Sequence, residues 1–173
     1  MSFQQLVEKR ESCRSFNEKP VEIKHLEALI ETARLAPSAC NGQPWHFTVI
    51  TKKEVLKDVS SSMQAFNEKA GALIVITEDD TKVIARAGEI VKDQCYRSID
   101  IGIATAFITL KATELGLSSC IIGWFNETKV KKTLGIPKRK RIRLIISLGY
   151  TDTKDVRVKK RKDLKDIVTY IKE

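Results

Sequence analysis

Two arginines and a serine near the start of the chain, Arg10, Ser12 and Arg14, form the pattern Arg-x-Ser-x-Arg. A guanidinium presents a planar fork of N–H donors that matches phosphate oxygens, and a serine hydroxyl adds one more donor. The segment therefore has the donors that a phosphate group requires. The pattern is also common by chance on protein surfaces, so it does not establish a site by itself.

A second segment, Ala36–Trp45, places polar side chains in a loop whose prolines and glycine restrict its backbone (APSACNGQPW). Rigid polar loops are typical of segments that position a ligand. Asn41 and Gln43 can each offer a donor and an acceptor to the edge of a heteroaromatic ring. An ordinary connection with an Asn-Gly turn is the alternative interpretation.

A third segment is the apolar run that ends at Gly123, after Ile121 and Ile122. A glycine at a strand end lets the backbone approach a flat ligand closely. Its amide N–H could then donate to a ring nitrogen. A plain strand end is an equally good interpretation of these residues alone.

The net charge of +9 favours anionic partners. Basic residues concentrate in two runs, Lys138–Arg141 and Arg157–Lys162. A nucleic-acid-binding module is one possible use of them. Aromatic residues are only 6% and are not interleaved with these runs, as a base-stacking surface requires. We therefore expect no nucleic-acid partner.

The length of 173 residues suits one domain, residues 1–173. The apolar stretches are too short to span a bilayer, and residues 1–5 lack the order of a signal peptide, so we expect no membrane partner and a cytoplasmic location. Four cysteines without metal spacing and two histidines predict no metal site.

Hydrophobic periodicity and turn residues predict the elements that must position these segments. The predicted strands are Trp45–Ile50, Ala70–Thr77, Ser119–Ile122 and Arg141–Tyr150. The predicted helices are 3–10, Val21–Leu35, Lys53–Met63, 81–115 with a break near Lys92, Glu127–Leu134 and Leu164–Ile171. The result is one α+β domain around a helix, Ile99–Leu115, that is apolar nearly all round.

Finer patterns make further predictions. The helix after Val21 has one buried stripe, formed by Ile23, Leu26, Leu29, Ile30 and Ala33. Asn126 is a predicted N-cap. The last strand has one apolar side, formed by Ile142, Leu144, Ile146 and Leu148.

The segments in this order resemble the nitroreductase-like FMN flavoprotein family. The matching strings are KRESCRSF from Lys9, ARLAPS from Ala33, NGQPW from Asn41, DIGIA from Asp100, Gly116-Leu117, Gly123 and LGY from Leu148. The resemblance covers essentially the whole chain. It implies a central mixed or antiparallel sheet of about four to five strands flanked by helices, in an intertwined homodimer.

The resemblance also implies which residues hold the cofactor. Arg10, Ser12 and Arg14 would bind the FMN phosphate together with a basic pair, Lys159 and Arg161; Lys160 and Lys162 are the alternative pair. Relatives often carry a basic residue where Glu11 stands, and we expect Glu11 to point outward. Residues 151–173 would contribute to the phosphate site and to the dimer.

In the family the flavin ring lies against a Pro-Ser-x-x-Asn loop, usually across the dimer interface. The positions that match this loop are Pro37, Ser38, Ala39 and Asn41. The backbone at Ile122 and Gly123 would lie near flavin N5. The string at 66–69 is a further candidate for contacts with the pyrimidine edge.

The implied activity is that of an FMN-dependent NAD(P)H oxidoreductase. NADH or NADPH would give a hydride to flavin N5 and leave, and a nitroaromatic, a quinone or a similar electron-poor acceptor would take its place. No protein side chain is expected to act as a catalytic acid or base. The alternative is a flavin-binding protein of the same fold without reductase activity, for flavin storage or fragmentation.

Overall fold

The computed structural model describes residues 1–63, 69–80, 94–153 and 156–172. In chain order the elements are α1 (Phe3–Lys9), α2 (Ile23–Arg34), β1 (Trp45–Ile50), α3 (Lys53–Ser60), β2 (Ala72–Glu78), α4 (Tyr96–Glu114), β3 (Ser118–Ile122), α5 (Glu127–Leu134) and β4 (Ile142–Gly149). The predicted α+β class is confirmed. The predicted helical stretch at 81–93 lies outside the described residues.

The four strands form one antiparallel sheet in the order β1-β2-β4-β3. All of β2 is buried, because helices cover both faces of the sheet and because β2 pairs with β1 on one side and with β4 on the other. Side chains of α2 and α4 pack on one face, around Ile74, Ile76 and Ile146. Side chains of α3 and α5 pack on the other face, around Val75 and Ile145.

The prediction that Ile142 shares a face with Leu144 is wrong. The register between β2 and β4 shifts, because Ile76 pairs with Leu144 whereas Thr77 pairs with Ile142. The bulge leaves Arg143 as the extra residue, so Ile142 turns to the face of α3 and α5. Alternation along a strand cannot reveal such an insertion.

Helix α2 has most of its predicted stripe. Leu26, Leu29 and Ala33 are buried, and Ile30 packs partly against them. Ile23 differs because it lies in the first turn and is 58% exposed.

The N-cap of α5 is confirmed, because the Asn126 side chain accepts the N–H of Lys129 at 3.0 Å. The next residue, Glu127, links α5 to β4. Its Oε1 accepts the N–H of Ile142 at 2.8 Å and lies 2.8 Å from Lys131 Nζ. Burial raises the pKa of this carboxyl, but Lys131 and the Ile142 N–H lower it by more, so the net pKa lies below its ordinary value.

The predicted helix Leu164–Ile171 is not formed. A 3-10 turn, Leu164–Asp166, is the only helical structure in the described part of the tail, 156–172. The exposed fractions of Leu164, Ile167 and Ile171 are 63%, 63% and 98%. These side chains pack on none of the described residues, and so short a helix is not stable without such packing.

Within the described residues, no helix is both long enough and apolar enough to cross a membrane.

Candidate functional site

The Arg10–Arg14 segment lies against the start of β3. Ser12 and Ser119 form an isolated parallel bridge, and the N–H of Cys13 donates to the Ser119 carbonyl at 2.9 Å. The N–H of Arg10 ends α1 by donating to the Leu6 carbonyl. Backbone bonds therefore hold both ends of the segment, and the sheet sets the position of its arginines.

The C-terminal tail returns to the same place. Arg157 Nε lies 2.9 Å from Glu11 Oε2, and its Nη2 donates to the Ser12 carbonyl at 2.5 Å. Lys159 Nζ donates to the carbonyl of Glu8 in α1. The two basic segments are thus joined by an ion pair and by hydrogen bonds to backbone oxygens.

Between the two segments lies an open cavity of about 330 Å³. The basic residues of its lining come from both segments: Arg10, Arg14, Arg157, Lys159, Lys160 and Arg161. Ser12 also lines it. The structure therefore brings together Arg10, Ser12 and Arg14 with Lys159 and Arg161, the pair that the family resemblance favours for the phosphate. Lys160 shares this lining, whereas Lys162 does not belong to it.

The expectation that Glu11 points outward is wrong. Its side chain is 26% exposed and is paired with Arg157. Sequence position could not indicate this pair, because Arg157 lies 146 residues from Glu11 along the chain. Arg157 is therefore a site residue that sequence reasoning missed, although it belongs to the basic run.

The loop after α2 is fixed by hydrogen bonds at both ends. The Ala39 N–H donates to both carboxylate oxygens of Asp100, at 3.1 and 3.2 Å. Asp100 belongs to α4 and is only 5% exposed. The Ser38 hydroxyl accepts the N–H of Gln43 at 2.9 Å. Asp100 is thus a second residue that sequence reasoning missed, although it begins the string DIGIA.

Three non-glycine residues of this loop have left-handed backbone angles. The φ values of Cys40, Asn41 and Gln43 are 52°, 50° and 48°. Such conformations persist where the surroundings impose them, and they concentrate at functional sites. Pro37 and Asn41 are exposed on the loop, where a ligand can reach them.

The end of β3 offers an open backbone surface. Ile122 is 6% exposed, and Gly123 is exposed beside Trp124, which is 84% exposed. Among the described residues, a Cβ on Gly123 would meet only Leu144 Cδ2, at 4.0 Å. These residues therefore leave room for a ligand above this glycine.

Within one chain, the predicted ring contacts do not share the basic cavity. Among the residues the structure describes, neither Pro37–Asn41 nor Ile122 and Gly123 belong to its lining. Of the candidate string at 66–69, positions 66–68 lie outside the described residues.

The cysteine beside the basic segment is not a reactive thiolate. Burial raises the pKa of the Cys120 thiol, and the guanidinium of Arg14 offsets this only in part. The thiol is therefore protonated at neutral pH and packs as an apolar side chain.

The profile of the Nitroreductase family matches residues 7–150. The chain belongs to the nitroreductase family. The match includes the Arg10–Arg14 segment, the Pro37–Asn41 loop and the end of β3, and it ends before the basic tail. Membership supports an oxidoreductase activity.

Individual relatives agree with the family. An oxygen-insensitive NADPH nitroreductase of Helicobacter acinonychis is 31% identical over 96% of this chain and 95% of its own. A nitroreductase family protein of Clostridium difficile 630 has a TM-score of 0.84 and 30% identity, covering 98% of both chains. An FMN-dependent nitroreductase of Clostridium difficile R20291 has a TM-score of 0.72 and 28% identity, covering 93% of this chain and 92% of that one.

Proposed function

We propose that this protein is an FMN-dependent NAD(P)H oxidoreductase that passes electrons to nitroaromatics, quinones or similar acceptors. The observation that carries the proposal is the basic cavity. In a chain of the nitroreductase family, arginines from its beginning and basic residues from its tail meet around a space of about 330 Å³.

The donors in this cavity fit the phosphate of FMN. Guanidinium and ammonium groups form charge-assisted bonds to phosphate oxygens, each contributing about 1.5–3 kcal/mol. Arg10, Arg14, Lys159 and Arg161 would hold the phosphate, and the Ser12 hydroxyl would add a neutral donor. The charge of the lining attracts the anion from solution as well.

The remaining site residues would hold the ring. Pro37, Ser38, Ala39 and Asn41 would form one wall, kept rigid by the bond from Ala39 to Asp100. Ile122 and Gly123 would present backbone to the ring edge. Bound FMN would supply hydride acceptance and donation at N5. The chain contributes binding and orientation, and no side chain is assigned an acid or base role.

A homodimer is part of the proposal, because apolar side chains remain uncovered on this chain. Ile99 of α4 is 50% exposed, and Phe3 of α1 is 70% exposed. The tail adds Val158 and Ile171, at 93% and 98%. A second copy that covers these surfaces would also bring its own loop or strand end to the basic cavity. We place the dimer in the cytoplasm.

The purified protein tests the proposal directly. We expect a flavin absorbance band, and heat release followed by chromatography should give FMN. Anaerobic NADH or NADPH should bleach the band, and a nitroaromatic or a quinone should restore it. A flavin band that neither nucleotide bleaches would instead support flavin storage or fragmentation. A colourless protein that does not bind added FMN would refute the proposal.

Arg10→Ala tests the phosphate assignment. Losing one charge-assisted bond of about 1.5–3 kcal/mol should weaken FMN binding about ten- to a hundredfold. The affinity is measured by quenching of flavin fluorescence. Arg34→Ala is the matched control, because Arg34 is an exposed arginine paired with Glu31 on α2. Equal affinities of the two variants would contradict the assignment.

A further inference from the structure

One carboxylate lies among the basic residues of the cavity. Glu11 belongs to the lining together with six arginines and lysines. A carboxylate beside a bound phosphate repels it, so an unpaired Glu11 would weaken the site. The contacts of Glu11 give it a different role.

Three contacts connect Arg157 to the segment around Glu11. Its Nε lies 2.9 Å from Glu11 Oε2, its backbone N–H approaches the same oxygen at 3.4 Å, and its Nη2 donates to the Ser12 carbonyl at 2.5 Å. One residue of the tail is therefore held by both its side chain and its backbone. The pair also cancels the charge of the carboxylate.

The next tail residues follow this attachment. Lys159 donates to the Glu8 carbonyl, whereas Val158 between the two contacts is 93% exposed. Positions 157 and 159 thus face the N-terminal segment, and position 158 faces solvent. Beyond this attachment, Lys160 and Arg161 also line the cavity.

We propose that Glu11 and Arg157 form a clasp that positions Lys159 and Arg161 for the phosphate. In this proposal, which rests on FMN being the ligand, both clasp residues are positioning residues and not phosphate contacts. The Glu11–Arg157 clasp would thereby hold against the phosphate the part of the tail that lines the cavity, which includes Lys159 and Arg161 but not Lys162.

The direction in which one substitution changes the FMN affinity distinguishes the clasp from simple charge repulsion. Glu11→Gln removes a negative charge beside the phosphate, so without a clasp FMN binding would tighten. With the clasp it should weaken, about three- to tenfold for a part-exposed ion pair with added hydrogen bonds. Riboflavin has no phosphate, so its affinity should not change. Tighter or unchanged FMN binding by Glu11→Gln would overturn the proposal.

The reversed pair supplies a rescue experiment. Arg157→Glu alone should weaken FMN binding and leave riboflavin binding unchanged. Combining it with Glu11→Arg should restore the FMN affinity to within about threefold of the original, because the ion pair is rebuilt. Purely additive effects in this double-mutant cycle would overturn the clasp. Lys162→Gln is the control, since it removes a tail charge from outside the cavity lining.

A readout without flavin distinguishes the clasp from the proposed function. Trypsin cleavage after the tail lysines 159, 160 and 162 should be faster in Glu11→Gln than in the unmodified protein, because the tail loses its attachment. Equal cleavage rates would overturn the clasp even if FMN binds. A protein that protects its tail through Glu11 but binds no FMN would refute only the flavin assignment.

Discussion

Asp100→Ala removes the carboxylate that holds the Pro37–Asn41 loop to α4. The lost hydrogen bond has a buried carboxylate as its acceptor, so we expect the free energy of unfolding to fall by about 1.5–3 kcal/mol. The loop, which contains the left-handed residues Cys40 and Asn41, then loses one of the hydrogen bonds that hold it. If the binding conformation of the loop is destabilised by the same free energy relative to its other conformations, the apparent FMN affinity falls about ten- to a hundredfold.

Urea unfolding followed by circular dichroism gives the first quantity, and fluorescence titration with FMN gives the second. Asp100→Asn is the matched variant, because an amide oxygen can still accept the Ala39 N–H without carrying charge. It should lose about half as much stability as Asp100→Ala. An Asp100→Ala protein with unchanged stability and affinity would refute the role of this bond. A fall in stability with unchanged FMN affinity would show that the loop does not contact the flavin.

Three further predictions concern stability and the open strand end. Glu127→Ala leaves the buried Ile142 N–H without its acceptor and should cost about 1–3 kcal/mol in urea unfolding at pH 7, whereas Glu127→Gln should cost less. Because the pKa of Glu127 is lowered from 4.5, its ionic contribution is complete above that pH and is lost as the pH falls through the lowered value. The difference in the free energy of unfolding between Glu127→Gln and the unmodified protein should therefore vanish in acid. A difference that does not change with pH would contradict the ion pair. Gly71→Ala places a Cβ 2.4 Å from the Lys19 carbonyl oxygen and should lower the melting temperature by several degrees, about 2–4 °C per kcal/mol. Gly123→Ala, with free space at its Cβ, should melt as the unmodified protein does but bind FMN less tightly; equal FMN binding would place the ring elsewhere.

Much of the fold follows from local patterns in the sequence. The strand Trp45–Ile50 and the helix Glu127–Leu134 have the predicted bounds, because alternation, the Asn126 cap and the following Gly135 are all local signals. The basic cavity was also predicted, through the family resemblance and not through spacing. Nothing in the residues themselves indicates that positions 10 and 161 meet.

The errors have physical causes that a sequence does not contain. The bulge at Arg143 depends on pairing with β2, so alternation placed Ile142 on the wrong face. The apolar spacing of Leu164 and Ile167 suggested a helix, but no part of the chain that the structure describes covers them. The partner of Glu11 lies at the far end of the chain, and the anchor of Ala39 lies on another helix.

The basic cavity has a consequence for synthesis of the protein. Its two walls are separated by more than 140 residues, as the bond from Arg157 to Ser12 shows. The ribosome makes the Arg10–Arg14 wall first, but that wall has no opposing surface until the tail emerges. An anion that requires both walls can therefore be captured only after translation has passed Arg161. Ligand retention then distinguishes chains that include the basic tail from chains truncated before it, and the bound ligand would stabilise only the former.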